Sequence, residues 1–179
     1  MTPLEFKSAW TSEDALIQFP RESVSTLAIP LADRDFLANI GLPKEAAPFL
    51  DFGSKRELSL PTASNLFASE KSSSRFRVIG FNNFGDPICI DELNGGQIVY
   101  LLHDGSLEPR FMNSSLPQLA YSLLAFREAV KATNLVGGKG AYLEGRIPIE
   151  VINEFVGKMN DIDPAAVRPD LFWSQSVHL

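Results

Sequence analysis

Five acidic side chains are concentrated in the middle of the chain, where carboxylates could hold a metal, move protons or face a charged partner. Residues 81–120 hold five acids against one arginine, Arg110, which gives this segment a net charge of −4. The acids lie at the ends of apolar runs that have the character of strands. They are Asp86, Asp91, Glu92, Asp104 and Glu108.

The spacing of these acids matches no common metal or acid–base motif. A calcium loop alternates oxygen ligands and ends in a glutamate, whereas residues 91–96 lack both the spacing and the final glutamate. Paired carboxylates can serve a hydrolase, but any acidic chain contains such pairs. We therefore predict no metal site, no cofactor and no catalytic residue, and a small enzyme is kept as the alternative class.

Two histidines and one cysteine complete the chemical inventory. His103 precedes Asp104, and a neighbouring carboxylate can orient or charge an imidazole, although a lone histidine at a turn is usually a polar surface residue. Cys89 lies within an apolar run with no base beside it, which is typical of a small buried side chain rather than a nucleophile. His178 is next to the C-terminus, and three scattered residues do not make a zinc site.

The formal charge of −6 argues against direct nucleic-acid binding, which needs clustered Lys and Arg. Two interpretations of the acidic middle stay open: solvated turns of an ordinary sheet, or a surface that faces a basic partner. No apolar run approaches the roughly 20 residues that span a bilayer, and the N-terminus lacks the pattern of a secretory signal. With a lone cysteine excluding an internal disulfide, we expect a cytoplasmic protein without membrane contact.

Alternating strands and turns predict an antiparallel meander. Strand-like runs occupy residues 75–81, 87–91, 97–103 and 107–113. Asn94-Gly95 and Asp104-Gly105 are strong hairpin signals, since a type I′ turn needs positive φ at both central residues. The third run is apolar on both faces, so we expect helices on one side of the sheet and at least partial cover on the other.

Helix signals precede the meander. Residues 11–19 are expected to open a short helix, and residues 21–29 are expected to be extended. Asp33 is placed to cap a helix that Gly41 ends. Residues 44–74 are predicted to be an irregular loop.

Further helix signals follow the meander. Ser115 is placed to cap a long helix with an apolar stripe, and residues 147–163 predict a second helix. Phe172 and Trp173 are expected to anchor the tail to the core. The length of 179 residues suits a single domain over residues 1–179.

The order of these elements resembles the SUKH superfamily, and within it the fourth group, the immunity proteins of bacterial polymorphic toxin systems. The matching pieces span about residues 33–175. They are the helix end Gly41-Leu42-Pro43, the run at residues 85–91, the strand at residues 96–101, the helix start Asn113-Ser114-Ser115 and the late pair Phe172-Trp173.

This resemblance implies an α+β domain in which helices flank a central, mostly antiparallel sheet. It also implies a non-enzymatic protein that binds a cognate bacterial toxin, a nuclease or a nucleic-acid deaminase, and blocks it in the cytoplasm. It carries over no catalytic motif, and it implies structural roles for Gly41, Asp86 and Ser115. The clefts of such toxins approach phosphates and are therefore basic, so an acidic protein can mimic the phosphate charge. On this hypothesis the toxin-facing surface includes Asp86, Asp91, Glu92, Asp104 and Glu108.

Two other classes stay open. A metabolite-binding domain or small enzyme could use the sheet edge and residues 52–74 as a pocket. An interaction module of a larger assembly could form a homodimer through an edge strand. For the oligomeric state we expect a monomer or a weak homodimer.

Overall fold

The N-terminal part of the chain is mainly helical and contains a two-stranded sheet. The structure is a computed structural model that describes residues 2–10, 16–53, 59–67, 71–104 and 106–177, with the backbone alone at residues 71 and 72. The first two strands pair antiparallel with each other. These first elements are α1 (Pro3–Ala9), β1 (Leu16–Ile17), α2 (Arg21–Ser25), α3 (Leu31–Asn39) and β2 (Leu42–Pro43).

A six-stranded sheet forms the centre of the protein, and each strand pairs antiparallel with the next along the chain. The predicted meander is confirmed, and the sheet gains a hairpin at its start. Its strands are β3 (Glu45–Ala46), β4 (Leu50–Phe52), β5 (Phe76–Asn82), β6 (Pro87–Asp91), β7 (Gln97–Leu102) and β8 (Glu108–Asn113).

Helices cover both faces of this sheet. Ile88, Ile90 and Ile98 belong to the large core shared with the N-terminal and C-terminal helices. Cys89, Val99 and their neighbours form a smaller core on the other face, beside α4 (Ala63–Phe67). The predicted α+β class is thus confirmed, as is the cover on both faces of the third meander strand. The C-terminal helices are α5 (Leu116–Gly137), α6 (Ile149–Ile162) and α7 (Phe172–Ser176), and short 3₁₀ turns occupy Lys71–Arg75 and Pro164–Ala166.

The structure corrects several expectations for the N-terminal half. Residues 21–29 are not all extended, because Pro20 precedes the first turn of α2 and Val24 is buried in the core. Residues 44–74 are not an irregular loop throughout, since they contain β3, β4 and α4. A helix was expected at residues 11–19. Residues 11–15 lie outside the described residues, and Leu16–Ile17 form strand β1 instead of a helix. A helix missed from the sequence, α1, begins with a capping box in which Thr2 and Glu5 bind each other's backbone.

The β6–β7 turn also differs from its prediction. It spans residues 92–96, and positive φ occurs at Gly95 and Gly96 rather than at Asn94. A two-residue type I′ turn would need Asn94 itself to have positive φ. The turn is longer because the side chain of Asp91 binds the backbone of Leu93 and the amide of Asn94 within it. Gly105 of the other predicted hairpin lies outside the described residues.

Asp33 does not cap α3, because that helix begins two residues earlier, at Leu31. Phe36, Leu37 and Ile40 are buried on one face of the helix as expected. The Asp33 carboxylate is also buried and accepts a hydrogen bond from the backbone N–H of Leu116. Burial raises the pKa of Asp33 from its ordinary 3.8 to about 6, against the opposing effect of that hydrogen bond.

Replacing Asp33 by asparagine should change how stability depends on pH. Because the pKa is raised in the fold, the contribution of Asp33 is complete below pH 3.8 and is lost as the pH rises through about 6. Asparagine keeps an oxygen acceptor without a charge. The free energy of unfolding of Asp33→Asn, minus that of the parent protein, should therefore increase between pH 4 and pH 7, by up to about 3 kcal/mol. Urea titrations at both pH values measure this difference, and a constant difference would contradict the assignment.

A buried polar cluster joins the end of β8 to the C-terminal segment. The carboxylate of Asp163 accepts hydrogen bonds from Asn113 Nδ2 (3.1 Å), Ser114 N (2.7 Å) and Ser114 Oγ (2.8 Å). Asn113 Oδ1 in turn accepts from Trp173 Nε1 at 2.9 Å, and Asn113 Nδ2 donates to Ser122 Oγ at 3.1 Å. We call Asn113, Ser114, Ser122, Asp163 and Trp173 the polar cluster. It confirms that Trp173 anchors the tail, since this side chain is buried between Phe126, Phe155 and Phe172.

Candidate partner-binding surface

The five acids named from the sequence are divided between the two ends of the sheet. Asp86 precedes β6, and Asp104 and Glu108 flank the β7–β8 turn beside it. Asp91 and Glu92 lie at the other end of β6. A five-residue strand is about 17 Å long, so one small contact area does not include all five acids.

Asp86 joins the β5–β6 turn to the end of β7. Its Oδ1 accepts from the backbone N–H of His103 at 3.0 Å and lies 2.8 Å from His103 Nδ1, and its Oδ2 accepts from Asn82 Nδ2 at 2.9 Å. Burial by itself would raise the pKa of Asp86, but these hydrogen bonds outweigh burial and lower the pKa below its ordinary value. The side chain is buried and holds two turns together.

Asp91 and Glu92 fasten the opposite end of the sheet. Asp91 is 1% exposed and forms an ion pair with Arg75 at 3.3 Å, besides its hydrogen bonds in the β6–β7 turn. Glu92 accepts from the backbone N–H of Ala28 at 2.8 Å and from Arg77 Nε at 2.7 Å. Charge reversal at either position would break these internal contacts, so it would report on folding before it reported on binding.

Asp104 and Glu108 are the exposed members of the set. Glu108 pairs with Arg110 at 3.0 Å, with about half of each side chain exposed, and such surface pairs add little stability. A partner can therefore reach both carboxylates without opening the fold. A toxin-binding role for the five acids stays a prediction, and direct contact depends on these two.

Exposed aromatic residues accompany these acids. The β3–β4, β5–β6 and β7–β8 turns lie at the same end of the sheet, because successive antiparallel strands reverse direction. Phe84 is 74% exposed and Phe49 is 54% exposed, and a cleft of about 120 Å³ lies between them. Exposed aromatic side chains surrounded by polar residues are typical of protein-binding surfaces. We call residues 47–49, 83–86, 103–104 and 106–108 the turn surface.

Sequence reasoning missed the aromatic part of the turn surface for two different reasons. Phe49 lies in the segment predicted to be irregular, and the two-residue strand β3 has no periodic signal. Phe84 had a usable signal: it stands in the turn Asn82-Asn83-Phe84-Gly85, where a hairpin needs no large apolar residue.

Among the residues that the structure describes, the ionisable groups form no recognisable catalytic arrangement. The contact between His103 and Asp86 orients the imidazole as in many general bases. Within the described part of the chain, however, no Ser, Thr or Cys side chain hydrogen-bonds to His103. Cys89 is buried in the smaller core, and burial raises the pKa of its thiol, while His178 lies outside the described residues.

Metal and metabolite sites receive no support from the described residues either. No three His, Cys, Asp or Glu side chains among them gather into a group that could hold a metal ion. A cavity of about 220 Å³ lies between residues 59–67 and β5, in the region where the metabolite-binding alternative places a pocket. Its described lining carries no ionisable side chain, whereas metabolite sites combine apolar walls with convergent polar groups.

A comparison with known protein families identifies the family of this chain. Residues 5–178 match the model of the family described as SUKH-4 immunity protein. The chain belongs to the SUKH-4 immunity protein family. Searches of curated proteins and of solved structures gave no significant match.

Membership in the SUKH-4 family indicates a role in toxin immunity and favours binding over catalysis. Two pieces of the resemblance have clear structural reasons in this SUKH-4 protein. Gly41 has φ of +85° after α3, and Ser115 Oγ accepts from the backbone N–H of Gln118 at the start of α5. Among the described residues, no helix is long and apolar enough to cross a membrane.

Proposed function

We propose that this protein is a cytoplasmic immunity protein that neutralises a cognate bacterial toxin by covering its active site. The family match over residues 5–178 is the observation that supports this proposal most directly. The chain acts as one domain over residues 1–179, as a monomer or weak homodimer. It makes and breaks no bonds itself, and it binds neither nucleic acid nor membrane directly.

The charge of the chain favours a nuclease or nucleic-acid deaminase as the toxin. Such enzymes bind phosphates and therefore carry basic clefts. A protein with net charge −6 is attracted to such a cleft. The turn surface supplies accessible carboxylates at Asp104 and Glu108 and apolar contact area at Phe49 and Phe84. Asp86 positions two of its turns from inside.

Reversing the charge of Asp104 and Glu108 should slow association with the toxin. For the double variant Asp104→Lys and Glu108→Lys, we expect an association rate constant about tenfold lower at low salt, with a flatter salt dependence. Both side chains are exposed, so the free energy of unfolding should change by less than about 1 kcal/mol. A toxin domain encoded beside the gene for this protein is the partner to test, and binding kinetics at several salt concentrations give the measurement.

Asp161→Lys is the matched control, because it reverses an exposed acid on α6 away from the turn surface. It lies near Asp163, whose contacts are at the opposite end of β8 from Glu108. Equal association rates for the double variant, the control and the parent protein would remove the turn surface from the proposal. Failure of the parent protein to bind the toxin, or to protect cells that express it, would overturn the immunity function.

A further inference from the structure

An open groove of about 670 Å³ lies beside the turn surface. The β3–β4 hairpin, residues 45–51, forms one wall, and Val130, Asn134, Tyr142 and Leu143 contribute to the other. The walls are mainly apolar, and Leu143 is 67% exposed. This volume is within the usual range for binding sites, and the apolar surface has no partner within the described residues.

The groove has an unusual arrangement of charge on the hairpin wall. Glu45 and Asp51 are direct partners across the β3–β4 ladder, and both line the groove. Like charges directly opposite each other destabilise a sheet, and within the described chain neither carboxylate forms an ion pair. Lys139 is the one basic residue in the described part of the lining. A basic group that arrives from outside would therefore relieve the repulsion between Glu45 and Asp51.

The groove continues into the turn surface. Pro48, Phe49 and Tyr142 line both the groove and the cleft beside Phe84. An occupant that fills the groove is therefore in reach of the turn surface, which favours a protein segment over a small metabolite. The two carboxylates disfavour a nucleic acid as the occupant.

We propose that this groove binds an extended segment of the toxin that presents an apolar side chain next to a lysine or arginine. The apolar side chain packs against Leu143 and Phe49, and the basic group binds between Glu45 and Asp51. This inference rests on the proposed immunity function and adds a second contact to it.

Two variants test the groove without disturbing the core. Glu45→Lys removes the repulsion within the hairpin, so the melting temperature should stay the same or rise, while the dissociation constant for the toxin should increase at least tenfold. Leu143→Asp places a charge at an exposed apolar position and should also weaken binding at least tenfold. Leu93→Asp is the matched control, since Leu93 is 74% exposed in the β6–β7 turn at the opposite end of the sheet. Calorimetry with the same toxin domain measures each dissociation constant.

The outcomes separate this inference from the proposed function. Toxin binding that is unchanged by Glu45→Lys and Leu143→Asp would overturn the groove assignment and leave the immunity function standing. A parent protein that self-associates, with Leu143→Asp giving a monomer that binds toxin normally, would assign the groove to a second copy of this chain and overturn the inference. The absence of any toxin binding by the parent protein would overturn both proposals.

Discussion

Asp163→Ala is expected to lower the free energy of unfolding by about 3–5 kcal/mol. The carboxylate is 1% exposed and accepts three hydrogen bonds in the polar cluster, two of them from Ser114. Alanine leaves the backbone N–H of Ser114 and the amide of Asn113 without this acceptor. Buried donors that lose a charged partner cost more than the bond itself contributed. Urea unfolding at pH 7 measures the loss.

Two further variants separate the hydrogen bonds from other effects of substitution. Asp163→Asn keeps an oxygen acceptor without the charge, so its loss should fall between those of the parent protein and the alanine variant. Asp161→Ala removes an exposed carboxylate two residues earlier and should change stability by less than about 0.5 kcal/mol. A loss below about 1 kcal/mol for Asp163→Ala would show that the polar cluster does not hold the C-terminal segment in place.

Gly41→Ala is expected to lower the free energy of unfolding by about 3–5 kcal/mol. Gly41 follows α3 with φ of +85°, and its N–H donates to Phe36 O at 2.8 Å. A Cβ on this residue would lie 2.2 Å from the backbone oxygen of Ile17 in β1. Because this oxygen belongs to the backbone, relief requires β1 itself to move. Chemical denaturation of the purified variant gives the measurement.

Gly95→Ala is the control that separates backbone strain from the clash. Gly95 also has positive φ, at +67°, but a Cβ there would have no atom within 4 Å. This variant should lose only about 1–2 kcal/mol, the cost of the left-handed conformation alone. Similar losses at both positions would mean that strain, rather than contact with Ile17, explains the requirement for glycine at residue 41.

The meander and the C-terminal helices could be predicted because local signals and tertiary packing agree there. Strands β5 to β8 are long enough to show apolar and β-branched runs, and Ser115 with Pro117 marks the start of α5. The N-terminal half was harder because its elements are short. Strands β2 and β3 have two residues each, and helix α2 has five. Such elements are stabilised by contact with the core rather than by their own propensity.

The candidate surface was only partly predictable for a different reason. A carboxylate has the same sequence signal whether it faces solvent or accepts hydrogen bonds inside a turn. Asp91 ends the apolar strand β6 and Asp104 comes shortly after β7, yet Asp91 is buried beside Arg75 and Asp104 is exposed. The difference depends on a residue distant in sequence, because Arg75 forms an ion pair with Asp91. Sequence spacing alone therefore named all five acids without separating the fixed ones from the accessible ones.

The division of the acids between two ends of the sheet has an evolutionary consequence. At one end, Asp91 and Glu92 bind residues of β5, the turn before it and the N-terminal segment, so substitutions of these contact residues lower the stability of the fold. At the other end, Phe84, Asp104 and Glu108 are exposed, while the buried Asp86 holds the turns beneath them in place. If the proposed immunity function holds, the exposed side chains of these turns can change with the toxin while the strands that carry them stay the same.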